Sequence, residues 1–292
     1  MTNRVLLVDG MALLFRHFYA TSLHNQFMYN SKGIPTNGVQ GFVRHIFSAI
    51  KEINPTHVAV CWDMGQQTFR NEMFEGYKQN RPEPPAELIP QFDYVKEISQ
   101  QFGFVNIGVI NYEADDVIGS LAQTYSDNNE VFIITGDRDI LQCINENVEV
   151  WLTKKGFTIY NRYTLDRFKD EYGLEPKQLI DVKAFMGDTA DGYPGVKGIG
   201  EKTAIKLIQN HGTVENVVNN LSSLTPAQQK KITNNLNHLH LSKSLAEIYT
   251  KVPIETDKLF KEMTYAHTLN EILSICNEHE LYVSSKYIAT HL

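Results

Sequence analysis

Nine carboxylates in this chain stand where they could act together: Asp9, Asp63, Glu113, Asp115, Asp116, Asp137, Asp139, Asp188 and Asp191. Most follow an apolar run directly. RVLLVD ends at Asp9, HVAVCWD at Asp63, and VFIITGDRD at Asp137 and Asp139. A short apolar run closed by a turn signal reads as a buried parallel strand. In a parallel α/β sheet the ligand crevice lies at the carboxyl ends of the strands, so these side chains would meet in one crevice. So much negative charge cannot gather away from water without a compensating cation. An oxygen-only donor set suits Mg²⁺ or Mn²⁺ rather than zinc. The chemistry that fits is phosphoryl transfer assisted by divalent metal.

Alternating elements would position these groups. Strands are expected at 4–8, 57–62, 104–107, 131–134 and 148–152. Helices are expected around 39–50, at 86–102, from Glu113 onward and, briefly, near 138–143. Val39, Phe42, Val43, Ile46, Phe47 and Ile50 line one helical face. The fold class is therefore α/β, with a mostly parallel central sheet and helices on both faces. Residues 1–163 read as the α/β core and 164–254 as a smaller helical part. Residues 255–292 read as a tail that packs back on the core. Residues 64–85 break the pattern: they are polar, carry Arg70, Lys78 and Arg81, and end in three prolines. A long segment of this kind inside a domain is usually functional or mobile.

Each acidic motif also has a bland reading. A lone Asp after a strand caps a helix or makes a turn, which covers Asp9 and Asp63 taken singly. In NYEADD, Glu113 and Asp116 share a helical face, and acids in a first turn complement the helix dipole. Three carboxylates in four positions exceed what capping needs. GDRD resembles part of a calcium loop without the later ligand positions. GDTADGYPG, with Asp188 and Asp191, would pass for a solvated turn. The recurrence of carboxylates at strand ends carries the argument.

The formal net charge is −7, and the nine clustered carboxylates account for it: the remaining surface is slightly basic and could meet nucleic acid. Cys61, Cys143 and Cys276 lack metal spacing; Cys61 and Cys143 fit packing roles, and the sparse, odd count fits a reducing cytoplasm. The ten histidines are dispersed without ligand spacing. No signal-peptide pattern opens the chain and no apolar run reaches membrane length, so a cytoplasmic protein without a membrane partner is expected.

Gly195-Val-Lys197-Gly198-Ile-Gly200-Glu-Lys202-Thr-Ala is the second motif. Its glycines do not make a dinucleotide fingerprint, because no strand precedes them and the spacing is GxxGxG. A glycine turn between two helices, with the second helix ending at Gly212, suits a helix–hairpin–helix over about 187–211. Backbone N–H groups and a helix N-terminus can hold phosphates there, and Lys197, Lys202 and Lys206 add charge. Such contact would be sequence-independent and salt-sensitive. An ordinary turn between two helices is the alternative.

With these residues in hand, the chain resembles the 5′ nuclease family of flap endonucleases and the 5′→3′ exonuclease domain of bacterial DNA polymerase I. VDGMALLFRHFYA, CWDMGQQTFRNEMFEGYKQNR, YEADDVIG, TGDRDILQ and GDTADGYPGVKGIGEKTA match the family's blocks in order. The chain stops where a polymerase would begin, as in a free-standing enzyme. The resemblance implies a first metal among Asp9, Asp63, Glu113, Asp115 and Asp137. It implies a second held or oriented by Asp116, Asp139, Asp188 and Asp191. It makes 64–85 a helical arch, with Lys78 and Arg81 toward the scissile phosphate and Tyr77 stacking on a base. It offers Arg16 and Arg70 as weaker candidates for phosphate contact. The hairpin would grip duplex through Gly195, Lys197, Gly198, Gly200 and Lys202, with K⁺ at its carbonyls.

The implied activity is two-metal hydrolysis of DNA at a 5′ flap or a junction of duplex and single strand, by a monomer, with two Mg²⁺ ions or Mn²⁺ in their place. Two other classes stay open: a structure-specific DNA-binding protein without catalysis, and a metal-dependent ribonuclease or phosphatase.

Overall fold

The strand β1, Arg4–Asp9, explains the layout of the whole molecule. Its Val5, Leu6, Leu7 and Val8 are all fully buried. Val5 and Leu7 face one hydrophobic core, and Leu6 and Val8 face another on the opposite side of the sheet. Burial of each such side chain is worth about 1.5–3 kcal/mol, so an unbroken apolar run is the sequence of a central strand. The computed structural model describes residues 2–22, 27–65 and 67–292. Positions 1, 23–26 and 66, within the expected nuclease core, lie outside the described residues.

Five more strands complete the sheet: β2 (His57–Cys61), β3 (Val105–Ile107), β4 (Glu130–Thr135), β5 (Val148–Lys155) and β6 (Ile159–Tyr163). The order is β3-β2-β1-β4-β5-β6. All neighbours are parallel except β5 and β6, which pair antiparallel at the edge. The chain leaves β1 toward β2 on one side and returns to β4 on the other. The carboxyl end of β1, at Asp9, is thus the point where strand order reverses and a crevice opens.

Helices cover both faces. α1 (Gly10–Ser22), α2 (Asn37–Ile53) and, beyond the five-residue α3 (Phe69–Met73), α4 (Ile89–Gln101) pack on the Leu6 and Val8 side. α5 (Ala114–Tyr125) covers the other face through Val117, Ile118 and Leu121. A helical group follows: α6 (Leu165–Tyr172), α7 (Leu179–Met186), α8 (Glu201–His211), α9 (Val214–Asn219), α10 (Pro226–Thr233) and α11 (Leu236–Ala246). Its Phe168, Phe185, Ile208 and Leu239 join the core of the α5 side, so the helical group shares that core instead of building its own.

The last helices are α12 (Thr256–Glu262), α13 (Leu269–Glu278) and α14 (Tyr282–His291). Ile272, Cys276, Leu281 and Ile288 bury against the α2 side. The Ser284 amide donates to Gln40 Oε1 at 2.9 Å.

The strand β6 and the helix α1 were not anticipated from sequence. IYNRY is half-polar because it lies at an edge, and α1 begins at Gly10 with no gap after Asp9. Residues 64–85 contain α3 and, otherwise, mainly turns, with no longer helix among the described residues.

Candidate metal centre and nucleic-acid interface

Separate segments deliver carboxylates to the open end of the sheet. Asp9 ends β1 and is 6% exposed. Its Oδ1 accepts from the Ala12 amide at 2.9 Å and its Oδ2 from the Thr135 hydroxyl at 2.7 Å. Burial pushes its pKa up to about 6, with Asp63 and Asp137 adding repulsion against these hydrogen bonds. Asp63 accepts from the Ala114 amide at 2.7 Å, which pins the loop after β2 to the N-terminus of α5. Asp115, in the first turn of α5, is held well above the carboxylate range by desolvation and then by Asp137 and Asp9. The Asp137 amide donates to Thr135 Oγ1 at 3.0 Å, and its carboxylate takes the Asp139 amide at 2.8 Å. Asp139 is pushed up to about 6 by burial and Asp137, against the pull of Lys183.

The helical group brings the last pair. The loop between α7 and α8 closes on itself: Gly187 and Gly195 approach so closely that a Cβ on Gly195 would lie 2.3 Å from the Gly187 nitrogen. Asp188 Oδ1 takes the amides of Ala190 and Asp191, at 2.7 and 3.2 Å. Burial opposes ionisation of Asp188, yet Lys183 and these amides hold its pKa below the usual value. Asp191 accepts from Arg81 Nη2 at 2.6 Å.

Four side-chain cations stand among these groups, and one of them, Arg70, reaches Glu113 Oε2 at 3.3 Å. Lys78 Nζ donates to Glu113 Oε1 at 2.6 Å, and Arg81 pairs with Asp191. Lys183, on α7, reaches Asp139 Oδ1 at 2.8 Å and also bonds Asp188 Oδ2. Sequence reading missed Lys183; its signal was a lysine on an apolar helix five residues before Asp188. Thr135, wedged between Asp9 and Asp137, was missed as well. Among the described residues no three His, Cys, Asp or Glu side chains close tightly on one point as a finished metal shell. The donor chemistry nevertheless fits a hard divalent ion. The donors are all oxygen, and a bound cation would relieve the desolvation and mutual repulsion at Asp9, Asp115 and Asp139.

Four of the expected site residues are internal in this structure. Asp116 is 0% exposed and fully engaged: it accepts from Arg70 Nη1 and Nη2 at 2.7 Å each, from the Glu113 amide at 3.0 Å and from the Tyr249 amide at 2.8 Å. It orients the start of α5 and offers no free oxygen to a metal. Arg70, its partner, is 2% exposed and presents no free face to phosphate in this structure. Tyr77 is buried beside Tyr193, Leu245 and Ala246, with its hydroxyl directed at Glu113 and Asp191, so its ring presents no face to a base. Gly195 is buried and its amide is spent on Ser242 Oγ at 3.0 Å.

The remaining expected contacts lie as follows. Arg16 is half-buried on α1, in electrostatic reach of His17, His45 and Tyr160, and makes no ion pair among the described residues. Lys197, Gly198, Gly200, Lys202 and Lys206 are exposed together around the N-terminus of α8. The Gly198 carbonyl accepts from Lys231 Nζ at 2.8 Å.

Known proteins resemble this chain over most of its length. Residues 4–173 match the family model for the 5′-3′ exonuclease N-terminal, resolvase-like domain, and residues 174–268 match the 5′-3′ exonuclease C-terminal SAM fold. The chain belongs to the 5′-3′ exonuclease family. The 5′-3′ exonuclease of Bacillus subtilis (strain 168) is 48% identical over 279 residues, covering 96% of this chain and 94% of that protein. DNA polymerase I of Lactococcus lactis subsp. cremoris is 40% identical over 90% of this chain, which spans 31% of that longer protein. Among solved structures, T5 5′-exonuclease with bound zinc has a TM-score of 0.69 at 21% identity, covering 98% of both chains. The catalytic core of Rad2 with DNA has a TM-score of 0.64 at 18% identity, covering 100% of this chain and 93% of that one. At these identities the solved structures speak for the fold.

Proposed function

We propose that this protein is a divalent-metal-dependent 5′ nuclease that hydrolyses DNA phosphodiesters at a 5′ end, a 5′ flap or a junction of duplex and single strand. The observation that carries this reading is the delivery of carboxylates from β1, β2, α5, β4 and the α7–α8 loop to one end of the sheet, with burial raising Asp9 and Asp139 to about 6. The family membership and the metal-bound T5 relative support it.

In this reading Asp9, Asp63, Glu113, Asp115 and Asp137 hold one Mg²⁺, and Asp139, Asp188 and Asp191 hold or orient a second; Mn²⁺ can replace either. Bound there, such a pair lowers the pKa of water and neutralises charge on the attacking and leaving oxygens. Thr135 fixes the Asp9 carboxylate and Asp137 fixes the turn into Asp139. Lys78 and Arg81 exchange Glu113 and Asp191 for the phosphoryl oxygens when DNA arrives. The products carry a 5′-phosphate and a 3′-hydroxyl.

The exposed hairpin, through Gly198, Gly200, Lys197 and Lys202, holds duplex backbone without reading bases. K⁺ would use hairpin carbonyls other than that of Gly198, which Lys231 already caps. The protein acts as a monomer in the cytoplasm, where its three thiols stay free; no described helix is long and apolar enough to cross a membrane.

The test is cleavage of an end-labelled 5′-flap duplex with Mg²⁺ and with excess chelator, beside blunt duplex, single strand and RNA. Metal-dependent cutting near the junction is expected. Tight junction binding without cutting in Mg²⁺ or Mn²⁺ would replace the nuclease by a DNA-binding protein, and equal cutting of RNA would make it a ribonuclease.

A further inference from the structure

The turn segment 76–81 and the loop 188–192 are joined edge to edge. The Lys78 amide donates to the Asp191 carbonyl at 2.8 Å. Asn80 Nδ2 donates to the Thr189 carbonyl at 2.8 Å. Gly76 O would lie 2.9 Å from a Cβ on Gly192, whose φ is +83°. Lys78 itself has φ +56°. A non-glycine residue pays for that conformation, and it persists only where its surroundings impose it. The surroundings that hold it are the Asp191 carbonyl on its amide, the Arg81 amide on its carbonyl and Glu113 on its side chain.

We infer that Asn80 is a positioning residue, which ties segment 76–81 to loop 188–192 and so sets the carboxylates of Asp188 and Asp191 for metal. The inference rests on the metal reading above. The loop's own hydrogen bonds are local: Asp188 to Tyr193, and Gly192 to Asp188. Thr189 and Ala190, at its outer lip, are exposed. The Asn80 amide is the side-chain donor that reaches that lip from another segment. It is also uncharged. Lys78 and Arg81 can therefore turn their side chains to phosphate while the Asn80 tie and the Lys78 backbone tie stay closed. Partners that orient metal ligands typically change metal affinity 10–100-fold when removed.

The experiment compares wild type with Asn80→Ala by backbone hydrogen exchange over 188–192, by the Mg²⁺ concentration for half-maximal cleavage, and by flap-duplex affinity without divalent ions. Exchange should quicken in the loop, the Mg²⁺ midpoint should rise about 10-fold, and DNA affinity should hold. Gly192→Ala, which drives a methyl group against Gly76 O, should give the same first two changes. Unaltered exchange, or faster exchange at an unaltered Mg²⁺ midpoint, overturns the inference. So does weaker DNA binding with unaltered exchange, which would make Asn80 a DNA contact. If wild type cleaves without Mg²⁺, the metal reading itself fails, whereas the exchange data still report on the tie.

Discussion

Arg70 and Asp116 form a two-pronged ion pair inside the protein, Nη1 to Oδ2 and Nη2 to Oδ1, each 2.7 Å. The same guanidinium reaches the Leu245 carbonyl at 3.1 Å and the Glu247 carbonyl at 2.7 Å. One side chain thus joins α3, the start of α5 and the end of α11. Removing it strands a carboxylate that has no solvent. Arg70→Ala should cost about 3–5 kcal/mol, seen as a lower midpoint in denaturant. A midpoint near wild type would mean that the pair does not hold these elements together.

Lys183 is the cation between Asp139 and Asp188. Burial works against its charge, but the two carboxylates raise its pKa. Lys183→Ala should reduce cleavage about 10–100-fold, with Lys183→Arg recovering part of the rate. Single-turnover rates at saturating DNA check this. Equal rates for all three proteins would remove Lys183 from the site.

His17 and His45 make a buried pair, Nε2 to Nδ1 at 2.7 Å, between α1 and α2. Burial, then His45 and Arg16, lowers the His17 pKa to about 2; burial, then Arg16, lowers that of His45 to about 3. Both values fall below the unfolded value near 6.5. The unfolded chain therefore binds more protons below pH 6.5, and stability is lost as pH falls through that window. Each histidine contributes about 1.4 kcal/mol per pH unit. Asp9 and Asp139, raised to about 6, act in the opposite direction. Comparison with His17→Gln/His45→Gln cancels them. The stability of wild type relative to this variant should fall steadily from pH 6.5 to 4, measured by urea unfolding. A constant difference would contradict the buried neutral pair.

Lys197 and Lys202 are exposed at the hairpin. Lys197→Ala/Lys202→Ala should weaken flap-duplex binding. It should also flatten the plot of log affinity against log salt by about 0.9 for each phosphate left without its lysine. The rate at saturating DNA should stay at the wild-type level. An unchanged salt slope would move the duplex to another face.

Much of this site is legible in the sequence because strand burial and charge leave plain marks. RVLLVD and VFIIT read as buried strands, which puts Asp9 and the GDRD turn at their ends. What the sequence hides is direction. Asp115 and Asp116 are neighbours, yet a helix turns successive residues about 100° apart. One faces Asp9 and Asp137, and the other faces Arg70. Arg70 and Tyr77 look like surface groups of a polar segment, and only the helical group folding over them makes them internal. The Lys183 contact joins an α7 lysine to a β4-loop aspartate, a meeting that no local pattern encodes.

The most direct test of the central claim is single-turnover cleavage of a 5′-flap duplex in Mg²⁺ by wild type and Asp188→Asn, with flap-duplex affinity measured on the same samples. The two-metal carboxylate site requires that cleavage by Asp188→Asn be abolished or greatly slowed while binding stays near wild type. Cleavage at the wild-type rate would contradict it.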